Sequence, residues 1–457
     1  MGKGSSAGAG GSPKGTKGFN KNWVLFLMVF MAIFLNADNL VLSPNITAIE
    51  QEFGITDADI GNISALFTVI GAIISLAWGY LADKGSRKIL LLLSVLIGEL
   101  PCLLTAFAAN YTQFFILRIL CGIGLGASFP IVFSLVADFF SEKERGKATA
   151  LISGAIGFGS VLGAIIGGYG GAAWGWRVPF LLVSAPNFLF ALLFWLSVKE
   201  PPRALSEENL REMIEQGFVY PRSIQLSDYK RLFTIPTNLL LFLQGIAGTV
   251  PWGAIPMFLV AYLQRVKGFD LTSATTVYMF FGLGSIVGIV SGGLVGGVLY
   301  RKAPSRVPLF SGITTIVGAG MAVVVFTAPL VSYWTIVALG FLTAMMASLT
   351  GPNVKTMLMN VNVPENRGAI FSIFNLTDSL GTGFGRFVGG WMVQLLTIGP
   401  ALAISSLFWL PCGLLLILLV NRFPRDVERL RDVMRKLGEE MAAKAKVAEE
   451  AKVAAKA

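Results

Sequence analysis

Residues 79–88 read Gly-Tyr-Leu-Ala-Asp-Lys-Gly-Ser-Arg-Lys, and residues 293–302 read Gly-Leu-Val-Gly-Gly-Val-Leu-Tyr-Arg-Lys. Gly79, Arg87 and Lys88 thus recur as Gly293, Arg301 and Lys302, an offset of 214 residues that Gly54 and Gly268 also keep. Further along the offset becomes 222: Pro130 maps to Pro352, Arg145 to Arg367 and Gly146 to Gly368. The ladder Gly159, Gly163, Gly167, Gly168 maps in the same way to Gly381, Gly385, Gly389, Gly390. Single matches mean little in a chain with 52 glycines, but this many at two fixed offsets indicate two homologous halves.

Each of these basic stretches lies between long apolar runs. Apolar residues make up 54% of the 457-residue chain and charged residues 14%, far below the roughly 25% charged of soluble domains. A membrane span needs about 20 apolar residues. Twelve segments qualify, at about 22–43, 60–82, 88–108, 112–138, 147–169, 176–198, 236–263, 271–299, 306–328, 332–358, 368–396 and 400–421. With twelve spans both termini share one side, and thirty of the 36 lysines and arginines fall on that side, against three on the other. This positive-inside bias predicts cytoplasmic termini and accounts for the +10 net charge without nucleic acid.

The expected organisation is a disordered tail over 1–21, a first six-span bundle over 22–198, a linker with a short helix over 199–235, a second bundle over 236–421, and a tail over 422–457. After Pro424, Val427, Leu430, Val433, Met434, Leu437 and Met441 recur at helical spacing and predict an amphipathic helix lying on membrane lipid. The sequons at Asn45 and Asn110 need no explanation beyond chance. The three cysteines lie in apolar stretches, so neither a disulfide framework nor a thiol metal site is expected, and no cofactor either.

The 79–88 segment resembles the loop signature of the major facilitator superfamily (MFS), G-x-L-a-D-r-x-G-r-k. Arg118 with Gly122, Gly124 and Gly126 is similar to that superfamily's R-x-x-x-G-x-G motif, and Asp138 to Gly146 also fits. The resemblance covers all twelve spans. It implies an all-α polytopic membrane protein whose 12 transmembrane helices form two pseudo-symmetric six-helix bundles around a central cavity, working by alternating access. It implies a conformational switch at the loop motif, with Gly79, Asp83, Arg87, Lys88, Asp138 and Arg145 as its residues. Ser86 replaces the loop glycine, and Gly297 stands where the first copy has Asp83, so the switch's salt bridge belongs to the first half alone. Lys199-Glu200-Pro201-Pro202-Arg203 is similar to spinster-type lipid transporters, whereas Asp38-Asn39-Leu40 is similar to organic-anion symporters; the sequence supports both.

Six ionisable residues fall inside spans: Asp38, Glu99, Arg118, Lys355, Asp378 and Arg386. A charge at mid-bilayer costs at least ~2.5–3.5 kcal/mol, so each needs a partner or a wet cavity. At 1.5 Å per residue, Asp38 lies about 8 Å and Arg118 about 9 Å below the outer face, a matched depth. They are expected to pair, either as a pin for the first half or as an exchangeable site for a proton or an anionic group. Asp378 and Arg386 sit about 12 Å apart along span eleven, so each serves the cavity or another helix. Lys355 is expected to snorkel to the cytoplasmic face and Glu99 to make a buried hydrogen bond. The glycines Gly159, Gly163, Gly167, Gly381, Gly385 and Gly389 mark spans five and eleven as helix seams along which neighbouring backbones approach and slide; static packing would use them equally well.

No histidine is present, so proton coupling must use a carboxylate, and Asp38 or Asp378 is the expected site. No G-x-x-x-x-G-K-[ST] occurs, which removes an ATP-driven pump, and no catalytic constellation suggests an enzyme. The expectation is therefore a proton-coupled secondary transporter of a small, anionic organic solute. An amphipathic lipid such as a lysophospholipid is the alternative, and a channel or sensor a remote third. Its partners would be membrane lipid, the solute and the proton, and a monomer would suffice.

Overall fold

The computed structural model describes residues 20–140, 142–199, 232–329, 332–362, 367–433 and 435. The expected N-terminal tail, the central linker helix and the distal part of the C-terminal stripe lie outside them. Among the described residues the secondary structure is helical, with no strand.

Six long helices build the first half. They are α1 (Lys21–Val41), α2 (Asp57–Lys84), α3 (Arg87–Thr105), α4 (Tyr111–Leu125, continued as Ser128–Phe139), α5 (Glu142–Ile165) and α6 (Arg177–Ser197). The second half repeats the set with α7 (Pro236–Arg265), α8 (Leu271–Lys302), α9 (Arg306–Thr327), α10 (Tyr333–Ser348, continued as Thr350–Val361), α11 (Arg367–Leu396) and α12 (Ile398–Ser406, continued as Trp409–Leu418). By length and composition eleven spans among the described residues can cross a membrane; the twelfth pass is α11, equally long at 30 residues but diluted by Asp378, Arg386 and several hydroxyl side chains. Large apolar side chains such as Leu196, Leu294 and Leu395 stand 67%, 70% and 76% exposed on the outside, as a lipid-facing surface requires.

The two sequence offsets correspond to physical contacts. Gly54, with φ 65°, ends the short helix Ile46–Phe53, and Gly268, with φ 72°, turns the chain between α7 and α8; both need the left-handed conformation that glycine adopts freely. Two residues past each glycine, Thr56 caps α2 and Asp270 caps α8. Gly79 packs on Pro130 in one half, as Gly293 does on Pro352 in the other.

The glycine ladders prove to be seams inside each half. A Cβ on Gly159, Gly163 or Gly167 would strike the α1 carbonyls of Ile33, Ala37 and Val41. On Gly381, Gly385 and Gly389 it would meet Ile246, Val250 and Ala254 of α7. These glycines therefore bring α5 against α1 and α11 against α7 within each half. The last glycine of each ladder faces the opposite half instead, Gly168 against Thr275 and Gly390 against Asp57 and Gly61, and outside the ladders Gly383 meets Val69 and Gly282 meets Val161 across the same boundary.

At the end away from the termini a single apolar core runs through both halves, joining Val41, Ile46 and Phe67 to Ile255, Phe258 and Leu402. At the terminal end the cores are separate. One holds Leu27, Leu91, Leu135 and Phe194, and the other holds Leu241, Val354, Ile370 and Leu416. The bundle is thus closed at one end and divided at the other. The helix over 423–433 belongs to the second of these cores. Phe423 and Val427 are buried in it, and Asp426 accepts hydrogen bonds from the Thr237 amide and hydroxyl at 3.1 and 2.6 Å. Its first turns rest on protein, not on lipid as the stripe alone suggested.

Candidate functional site

In the first half the charges are walled in. Arg118 donates to Asp38 at 2.5 Å through one nitrogen and to the Asp38 carbonyl at 3.1 Å through the other. The Cys102 thiol donates to the same carboxylate at 3.0 Å. The guanidinium lies between the rings of Phe67 and Phe180, 5.1 and 5.4 Å from their centroids. Glu99, on the neighbouring α3, accepts from the Asn187 amide at 2.7 Å. Asp38, Glu99 and Arg118 are 4%, 1% and 2% exposed, so none of them meets a cavity in this conformation. Asn45, the asparagine of the first sequon, is buried as well and donates to the Gly167 carbonyl at 2.9 Å.

The second half holds the opening. A cavity of about 300 Å³ lies among α7, α8, α10, α11 and α12, with Thr315 of α9 also in its lining. Asp378 of α11 and Lys355 of α10 both line it, a carboxylate and an ammonium on one cavity wall. Lys355 therefore faces the cavity, where sequence position alone had suggested snorkelling. Trp252 and Trp409 form an aromatic wall with ring centroids 5.8 Å apart. The Ser285–Ser348 hydroxyl pair, at 2.8 Å, supplies a polar one. Gln244 donates to Cys412 at 3.2 Å, while its amide oxygen is buried without a partner, a free acceptor in the lining. The tryptophans and Gln244 were not singled out in sequence, because cavity membership depends on which helix faces meet and carries no local signature. Among the described residues no group of three metal-ligating side chains stands together.

Hydrogen bonds that join the halves gather at the closed end. Arg265 of α7 holds Asp57 at 2.9 Å, and Glu50, and donates to Thr47 at 3.1 Å. Ser43 donates to the Pro256 and Met257 carbonyls at 2.7 and 2.8 Å. Tyr169 and Thr276 share a bond of 2.8 Å, and Trp391 donates to Asn62 at 3.2 Å. Arg386 of α11 reaches furthest, to Asn39 at 2.8 Å, Thr68 at 2.7 Å and the Ser64 carbonyl at 3.4 Å.

Of the loop-motif residues, Gly79 meets Pro130, Arg87 is 3% exposed in the first turn of α3, and the Lys88 ammonium lies 5.9 Å from the Trp195 ring. The side chains of Asp83, Asp138 and Arg145 fall outside the described ones.

Comparison with known proteins follows this architecture. The model of one family, Major Facilitator Superfamily, matches residues 24–331 and 313–447. The probable sulfoacetate transporter SauU of Cupriavidus necator is 27% identical, over 70% of this chain and 76% of its own. The multidrug resistance protein MdtG of Proteus mirabilis is 25% identical, over 82% and 90%. A solved bacterial homolog of the human lysosomal transporter Spinster, inward-facing and unoccupied, superposes with a TM-score of 0.72 at 19% identity, over 91% of this chain and 98% of that one. The chain belongs to the Major Facilitator Superfamily, as an integral membrane secondary transporter.

Proposed function

We propose that this protein carries a small organic anion across the membrane by alternating access, coupled to the proton. The observation that carries the reading is the cavity of the second half, where Lys355 and Asp378 line one space beside an aromatic wall. An ammonium attracts the anionic group, the tryptophans cover an apolar or ring-shaped body, and Asp378 is the carboxylate placed to take up and release a proton. With no histidine in the chain, a cavity carboxylate is the natural coupling group. Asp38, the other candidate, is committed to Arg118, and that pair acts as the pin of the first half. The loop-motif residues and Arg87 form the switch at the divided end. The positive-inside bias sets that end toward the cytoplasm, so the conformation is inward-facing. The relative SauU, named for sulfoacetate, supports an anionic substrate. A monomer suffices, because one chain lines the whole cavity, and transport without chemical conversion makes the protein no enzyme.

The test is uptake into proteoliposomes under an imposed proton gradient. Labelled sulfoacetate, glucuronate and succinate would be compared with neutral glucose and a lysophospholipid. Gradient-driven accumulation of the anions, abolished by Asp378→Asn while counterflow survives, is the expected result. Accumulation that is insensitive to Asp378→Asn would remove the coupling assignment. Transport of the lysophospholipid alone would install the amphipathic-lipid reading instead.

A further inference from the structure

Arg386 is 4% exposed, yet among the described residues no carboxylate lies within ion-pair distance of it. Other arginines toward the closed end are answered by acids: Arg118 by Asp38, Arg177 by Glu52, and Arg265 by Glu50 and Asp57. Arg386 has only neutral oxygens, from Asn39, Thr68 and the Ser64 carbonyl, and its Nε is buried with no partner at all. A guanidinium taken out of water and met by neutral acceptors alone is under-compensated, and one edge of its fork is half open.

Two further facts locate this deficit. First, all three acceptors belong to the first half and the donor to the second, so these bonds must break whenever the closed end opens. Second, the cavity comes close. Trp252 lines it, and the next residue, Gly253, packs against the Thr382 carbonyl and the Arg386 backbone. Thr382 lies one turn of α11 before Arg386, about 6 Å along the axis. On α11 the nearest residue that lines the cavity is Asp378, two turns before Arg386 and about 12 Å away along the axis, so Arg386 stands beyond the blind end of the cavity, toward the closed end.

We infer that Arg386 is the terminal binding site for the substrate's carboxylate or sulfonate, and that the anion takes the guanidinium away from Asn39 and Thr68. This rests on the organic-anion reading above and adds the inner station of the site. Lys355 receives the anion in the cavity, and Arg386 holds it through the paired N–H groups that fit two oxyanion oxygens. Because the anion and the first half compete for one cation, binding on the open side weakens the closure on the other. Substrate occupancy is thereby linked to opening of the closed end, with the reciprocity that such coupling demands.

The competition makes two predictions of opposite sign, read as thermal-shift titrations of the full chain in detergent with sulfoacetate, glucuronate and succinate. Arg386→Gln should weaken anion binding roughly 10- to 100-fold, the scale for losing hydrogen bonds to a charged group. Asn39→Ala and Thr68→Val remove the competitor and should tighten binding, by about fivefold or more. A latch with no part in binding would move neither affinity in this pattern. If Arg386→Gln does not fold, the Asn39→Ala and Thr68→Val titrations decide on their own. Unchanged or weaker binding in those two variants overturns the inference, as does wild-type affinity in Arg386→Gln. If the wild-type chain binds none of the three anions, the organic-anion reading itself fails and this inference falls with it.

Discussion

In the first half Arg118 and Asp38 meet at 2.5 Å behind exposures of 2% and 4%, whereas in the second half Lys355 and Asp378 line a cavity of about 300 Å³. The helical framework around the two is nearly the same. α5 locks onto α1 through Gly159, Gly163 and Gly167, and α11 onto α7 through Gly381, Gly385 and Gly389. Each half is thus tied together by backbone contact that leaves no room for a side chain. What differs is the use of charge. One half uses its ion pair to hold itself together; the other leaves two of its charges lining a cavity and sends Arg386 across to its neighbour. Duplication supplied a symmetric frame, and the asymmetric placement of a few ionisable groups supplies the site.

The largest expected effect strikes the pinned half. Arg118→Ala strands the buried Asp38 carboxylate and should cost about 3–5 kcal/mol in thermal unfolding, with most of it recovered in Asp38→Asn/Arg118→Gln. Failure of the double variant to recover would mean the pair does more than satisfy itself. Next come the seams: Gly163→Val and Gly385→Val should each cost about 1–3 kcal/mol by forcing helices apart, and nearly equally if the halves are equivalent frames. Unequal losses would show that one half tolerates separation of its helices. On the cavity side, Lys355→Met should leave unfolding within about 0.5 kcal/mol of wild type yet raise the KM for anion uptake at least tenfold. A stability loss there instead would assign Lys355 a structural role.

The smallest effect comes from the matched helix caps. Thr56→Ala and Asp270→Ala should each cost roughly 0.5–1 kcal/mol, and the second should depend on pH. Hydrogen bonds from the Ser273 side chain and backbone and from the Thr272 amide hold the Asp270 carboxyl below its ordinary range. A depressed folded value means the stabilisation is present above the ordinary carboxylate range and is lost as pH falls through it. Unfolding scans should therefore differ between wild type and Asp270→Ala at neutral pH and converge at acid pH; a difference that persists in acid would mean the cap does not act through the ionised carboxylate.

Reading outward from Gly79 and Gly293, the periodic features of this molecule were legible before any coordinates. Twelve apolar runs, the two offsets and the glycine ladders follow from local rules. Apolar length matches the bilayer, and a glycine every fourth residue clears one helix face. Depth could also be counted, which set Asp38 and Arg118 at one level. Which partner each glycine seam meets could not be counted: the ladder marked a seam between moving parts, with static packing as the alternative, and named no partner helix for either. Lys355 shows the same gap. Near the end of its span it had the pattern of a snorkelling lysine, but the splay of the two halves at that end turns its surroundings into a cavity.

By itself, then, the sequence determined membrane class, span number, internal duplication and superfamily, because each is written in spacing along one chain. Tertiary structure alone decided that Arg118 is sealed, that Lys355 and Asp378 line one cavity, and that Arg386 reaches Asn39 from 347 residues away. Burial and charge pairing depend on which helix faces meet and at which end the halves close. Those are properties of the packed bundle, where the cost of an unanswered charge is set by neighbours that no local pattern names.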